Sequence, residues 1–244
     1  MQNEDAPDAT NRVQHLGAMS EDRGGRSGVV VAALVAVVAL GLLLIGRPAQ
    51  PRTIAVEDFE SGAITAWQVV GSGSGGWFVY ADGHKPPDPA QSDPSVPFAV
   101  PDPPHGKFAA VTDMNGPGTR ILSRDLRLDG RFTLHLTVFY TGTAPFRSAA
   151  TLAHDTPQAN EQFRIDLLGP SAPIDSVAKG DVLVNVFRTA PGDPVGRQPT
   201  EVGVDLSGWA GRTVRLRLAS TDNQGPLRAG VDNGMAGRIR SGLA

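Results

Sequence analysis

Phe132-Thr133-Leu134-His135-Leu136-Thr137-Val138-Phe139-Tyr140 sets Phe132, Leu134, Leu136, Val138 and Tyr140 on one side of an extended chain and Thr133, His135 and Thr137 on the other. Such unbroken period-two alternation marks a strand with one face in a core. Arg212 to Ser220 repeats it, with Val214, Leu216 and Leu218 inward against Thr213, Arg215 and Arg217, and Phe163, Ile165 and Leu167 alternate with Gln162, Arg164 and Asp166. Working outward, further strands are expected at 53–59, 66–70, 77–81, 107–112, 120–128, 181–188, 201–206 and 227–232, separated by Gly, Pro, Asn and Asp clusters that close turns. No run of helical period follows Arg52, so the class is all-β. Ten or eleven short strands with long crossovers predict a two-sheet jelly-roll sandwich over residues 53–233.

Composition agrees and narrows the chemistry. The chain holds 244 residues, with 29 Gly and 20 Pro, too turn-rich for a helical bundle. Its 22 basic and 25 acidic side chains leave a net charge of −3, without the electrostatic footprint of a nucleic-acid binder. Zero Cys excludes disulfides, thiolate-bound zinc, iron–sulfur clusters and thiol catalysis.

Val29 to Gly46 reads VVVAALVAVVALGLLLIG, without an ionisable group. As a helix it spans about 27 Å, enough for a hydrocarbon core. The sequence therefore predicts a disordered cytoplasmic tail over 1–26, a single transmembrane helix acting as a signal anchor over 27–46, and a linker over 47–52. A cleaved signal peptide fits less well, because Glu4, Asp5, Asp8, Glu21 and Asp22 precede the run and Arg47 stands where cleavage after Ala49 wants a small residue. Arg12, Arg23 and Arg26 before the run outnumber Arg47 and Arg52 after it, which places the N-terminus in the cytoplasm and the C-terminal domain outside the cytoplasm.

Few residues offer chemistry. Gly71-Ser72-Gly73-Ser74-Gly75-Gly76 has the spacing G-x-G-x-x-G but runs into the strand Trp77–Tyr80 rather than a helix, so it reads as a flexible turn. His84 to His105 holds eight of the Pro residues and cannot form a ladder. His84 and His105 bracket this loop, and Gly169 to Gly180 forms a second irregular connection. His135, Arg164, Asp166, Arg215 and Arg217 lie on polar strand faces, as a concave ligand surface or a solvated one. A glycosidase needs two carboxyls across a cleft, a separation that sequence does not supply.

The order Val56-Glu57-Asp58-Phe59-Glu60-Ser61-Gly62, Ala66-Trp67, Thr112-Asp113, Gly116-Pro117-Gly118-Thr119, Val138-Phe139-Tyr140, Asp205-Leu206-Ser207-Gly208-Trp209-Ala210-Gly211 and Ala229-Gly230-Val231-Asp232-Asn233 resembles secreted jelly-roll domains related to MAM domains and to calcium-bearing carbohydrate-binding modules. The resemblance covers 53–233 and includes uncharacterised bacterial envelope and exported proteins. It implies a structural Ca2+ that ties the first strand to the last through Glu60 and Asp232, with Asp58 and Asp113 as further candidates. It also places Trp67 and Trp209 in the core, which leaves Trp77 and Tyr80, with His84 nearby, as an exposed platform for sugar stacking. The chain departs from the family after Asn233, where Gly234 to Ala244 reads as a flexible, glycine-rich tail. The expectation is a membrane-anchored, extracytoplasmic, non-catalytic module for glycans or surface proteins; the alternatives are a polysaccharide hydrolase using loop carboxylates and a structural spacer.

Overall fold

The computed structural model describes residues 53–81, 100–113 and 116–238. These form eleven strands: β1 (Thr53–Glu57), β2 (Gln68–Gly73), β3 (Trp77–Ala81), β4 (Phe108–Thr112), β5 (Gly118–Arg127), β6 (Phe132–Gly142), β7 (Gln162–Leu168), β8 (Val182–Arg188), β9 (Gly196–Asp205), β10 (Thr213–Asp222) and β11 (Leu227–Arg238). One sheet runs β3-β4-β11-β6-β9, with β1 added to the far part of β11, and the other runs β2-β5-β10-β7-β8. All pairings are antiparallel, giving the expected all-β two-sheet sandwich. Among the described residues no helix is long and apolar enough to cross a membrane. The expected tail, anchor and linker at 1–26, 27–46 and 47–52 lie outside those residues.

The core lies where period two places it. Leu134, Leu136, Val138 and Tyr140 of β6 meet Val214, Leu216 and Leu218 of β10 and Phe163, Ile165 and Leu167 of β7, all buried between the sheets. Leaving this much aliphatic and aromatic surface dry is the main favourable term for a domain without crosslinks. Phe59 stacks on Trp67 at 6.3 Å within this layer, and Trp209 packs against its margin.

Each sheet is also covered outside. Tyr80, Val100, Ala109, Val111 and Phe139 form a second apolar cluster on the first sheet, and Ile121, Leu152 and Ala219 a third on the other. Gly230 of β11 lies opposite Phe139 of β6, and a Cβ there would collide with the Phe139 ring. The missing side chain is the space the ring occupies.

Three boundaries differ most from the sequence reading: β2 runs Gln68–Gly73, so Gly71, Ser72 and Gly73 of the expected flexible turn pair with β5 as sheet. Strand β9 begins at Gly196 and runs through Pro199, which is tolerated because β9 is an edge strand with one side unpaired. Strand β11 continues to Arg238, so the first part of the expected 234–244 tail is sheet. It is held by β1 and β6 after a register shift between Asp232 and Met235, where Asn233 adopts φ 50°. Backbone pairing on both sides sustains the strand without an apolar alternation.

Candidate functional site

The glycine-rich turn between β2 and β3 joins the edge strand of one sheet to the edge strand of the other. Beneath it Arg120 of β5 is buried between two acids, with Nε 3.3 Å from Asp113 Oδ1 and Nη1 2.9 Å from Asp222 Oδ2, while Nη2 donates to the Gly116 carbonyl at 2.9 Å. Asp222 also accepts from the Gly118 N–H at 2.8 Å; even so, burial pushes its carboxyl above the usual carboxylate range against the pull of Arg120. Gly75 has φ 80°, and a Cβ there would collide with Asp113 Oδ1. The turn is glycine-rich because its backbone seals a buried ion cluster. Asp113 is therefore committed to Arg120, which corrects its expected place beside Glu60 and Asp232.

A cavity of about 190 Å³ opens at this edge, lined by Gly71, Gly73, Gly75, Gly76, Trp77 and Arg120 among others. Trp77 is 4% exposed and packs in the intersheet core, and Tyr80 is 2% exposed, with its hydroxyl donating to the Pro101 carbonyl at 3.0 Å. The expected exposed stacking platform of Trp77 and Tyr80 is not formed, and His84 lies outside the described residues. The signal is in the sequence: Trp77-Phe78-Val79-Tyr80-Ala81 is apolar without alternation, the mark of a strand covered on both faces. Tyr80 anchors the end of the Pro-rich segment, and burial raises its hydroxyl pKa.

Glu60 and Asp232 do converge. Glu60 Oε1 accepts from the N–H groups of Lys107 and Phe108 at 2.8 and 3.0 Å, and Asp232 Oδ2 accepts from that of His105 at 2.7 Å. Both acids thus grip one short segment, next to His105 Nε2, which lies 3.0 Å from Thr137 Oγ1. Burial raises the Asp232 carboxyl to about 6; the backbone bonds and His105 oppose this, and Glu60 adds to it. Asp58, exposed, accepts from the Glu60 N–H at 3.1 Å and so caps the bend that presents Glu60. Among the described residues no group of three His, Asp or Glu is placed to hold a metal ion.

The polar faces of β7 and β10 are covered at Arg164, Asp166 and Arg217, while Arg215 pairs with Asp125 Oδ1 at 2.7 Å at the partly exposed end of β10. Asp166 accepts from Arg164 Nε at 2.7 Å and from Arg217 Nη2, and Arg217 Nη1 donates to the carbonyls of Ile174 and Ser176 in the 169–181 connection. That connection is a cover over a buried ion triad. Burial works against the Asp166 charge, but Arg164 and Arg217 together hold its carboxyl below the usual range. His135 belongs to the other sheet and pairs with Glu201 Oε1 at 2.8 Å.

Glu161, which sequence reasoning missed, is wholly buried; its Oε2 accepts from the Gln224 N–H at 3.2 Å at the β10–β11 turn. Burial, reinforced by Asp222, raises its carboxyl to about 8, against the pull of the backbone at 223–225.

No family model matches the chain, and no curated protein matches it. Solved structures are similar in fold. The K1 cleaved adhesin domain of Lys-gingipain from Porphyromonas gingivalis W83 is 12% identical with a TM-score of 0.42, covering 78% of this chain and 99% of that one. A family 11 carbohydrate-binding module from Clostridium thermocellum, in complex with a β-1,3-1,4-mixed-linked tetrasaccharide, is 11% identical with a TM-score of 0.37, covering 80% and 100%.

Proposed function

We propose that this chain is a non-catalytic glycan-binding module, held outside the cytoplasm by an anchor at 27–46. One observation carries the reading: the buried acids are spent on structure. Asp113 and Asp222 clamp one guanidinium, Asp166 lies between two, Glu161 caps a turn, and Asp232 holds the His105 N–H. Glycoside hydrolysis needs a proton-donating acid and a free carboxylate facing one bond. These carboxyls are engaged with guanidinium or backbone N–H groups rather than paired across a cleft, which favours binding without cleavage.

The experiment is a glycan array probed with the full chain. Retention of neutral glycans is the expected result; a blank array, or one lit only by acidic glycans, counts against the reading.

Calcium belongs to the same proposal. Glu60 and Asp232 fit two places in a calcium shell, with carbonyl oxygens supplying the remainder of the six to eight donors. Such an ion would reinforce the β1–β11 backbone pairing just beyond the end of β1. Added calcium is expected to raise the melting temperature, by an amount equivalent to about 2.7 kcal/mol at 100 times the dissociation constant. Melting curves that coincide in calcium and in EGTA would remove the ion from the account.

A further inference from the structure

We propose that β2 is a docking edge for a second copy of this chain, the two β2 strands pairing antiparallel about a two-fold axis. The contact is separate from glycan binding and does not depend on it. Other edges of the sandwich are guarded. Strand β8 ends in Arg188, and its register against β7 slips twice, after Ile165 and after Leu167. Strand β9 carries Arg197, Pro199 and Glu201 and slips against β6, and β1 slips between Ala55 and Glu57. Charges, Pro and bulges of this kind keep an edge strand from accepting a further strand.

Strand β2 has none of them. Ser61 to Ala81 contains no charged residue and no Pro. From Gln68 to Gly73 the strand pairs with β5 in unbroken register, and β5 is its only strand neighbour among the described residues, so its outer backbone is unpaired by strand. All of β2 except Val70 is exposed, and Val69, at 53%, is the most exposed large apolar side chain of the described residues. Strand β3, the corresponding edge of the other sheet, is equally regular and uncharged but has no exposed residue, so β2 is the strand that offers itself.

Symmetry makes a second copy the fitting partner. About a two-fold axis, residues of β2 face residues of the same strand in the other copy, where a charge would meet its own like; a charge-free edge has nothing with which to repel itself. The axis stands normal to the sheet, so both inner faces lie on one side and the two Val69 side chains approach each other, taking apolar surface out of water. The guarded β8 edge at the far side of the same sheet blocks head-to-tail addition, so association closes at two copies rather than growing a fibre. At about 3.4 Å per residue β2 extends about 20 Å, so the interface belongs to the small, weak class, with an expected dissociation constant of about 10–100 μM. Copies held in one membrane by the anchor proposed at 27–46 would reach such concentrations locally.

The test has two arms, both on the full chain in mild detergent. Sedimentation equilibrium follows the parent and Val69→Lys up to a concentration of about 200 μM, twice the weaker limit of the expected range. The exposed Val69 position lets a lysine reach water without disturbing the fold. The second arm uses the absence of Cys: Gln68→Cys, Val69→Cys and Val70→Cys each give a single thiol, and Leu183→Cys on β8 is the control. A disulfide forms only where the two Cα atoms come within about 7 Å, so oxidation reports which edges meet. The expected result is a monomer–dimer equilibrium that Val69→Lys weakens tenfold or more, with covalent dimer from at least one β2 variant and none from Leu183→Cys. If Val69→Lys fails to fold, the thiol arm decides. A chain that stays monomeric throughout, a dimer that Val69→Lys leaves unchanged, or crosslinking at Leu183 as strong as at β2 would overturn the proposal.

Discussion

Replacing Asp166 with alanine is expected to lower the unfolding free energy by about 3–5 kcal/mol, the usual cost of leaving buried charges without their partner. Asp166 is fully buried and serves both Arg164 and Arg217. Its removal strands two guanidinium groups beneath the 169–181 cover, where Arg217 also holds the Ile174 and Ser176 carbonyls. Urea unfolding monitored by tryptophan fluorescence measures the loss, and limited proteolysis should show new cleavage within 169–181. A triple substitution, Asp166→Leu with Arg164→Leu and Arg217→Met, is expected to recover most of the stability, because a well-packed apolar trio replaces such a triad at little cost. A single-variant loss below about 1 kcal/mol would show the triad to be solvated, as surface pairs are.

The second large effect is a dependence on pH centred on Glu161. Its folded pKa of about 8 lies well above the ordinary carboxylate value, so folding favours its protonated form. A group raised in this way stabilises fully below its unfolded pKa, and that contribution is lost as pH rises through the folded value. The protein should therefore lose stability from this group between pH about 4.5 and about 8. Glu161→Gln keeps an acceptor for the Gln224 N–H and carries no charge. It should be nearly neutral at pH 4.5 and stabilising by a few kcal/mol at pH 8, read as a flattened plot of melting temperature against pH. Parallel curves for parent and variant would mean that Glu161 is ionised and hydrated in the folded protein.

How far the sequence carries depends on which side of a strand is in question. Period two in β6, β7 and β10 identifies the intersheet layer, because a face repeating Leu, Ile, Val and Phe has nowhere else to go. The opposite faces are illegible. Arg217 alternates like a solvated residue, yet it is fully buried because a connection more than thirty positions away in sequence folds over it. Local pattern reports that a residue faces away from the core, never what covers it. Asp113 follows the same logic: beside Thr112 it looks like a calcium ligand, and its partner Arg120 comes from the next strand. Resemblance brings Glu60 and Asp232 near each other, and both meet at 105–108. Glu161 carries no signal, since a single Glu at a strand entrance gives no hint of burial.

The most direct measurement incubates the full chain with a mixture of neutral oligosaccharides and follows two quantities together, the fraction of each sugar retained on the protein and its mass afterwards. A binding module whose buried acids are engaged in structural contacts should retain at least one series and return every sugar at its original mass. Shortened oligosaccharides, or a chain that retains none of them, would contradict the account.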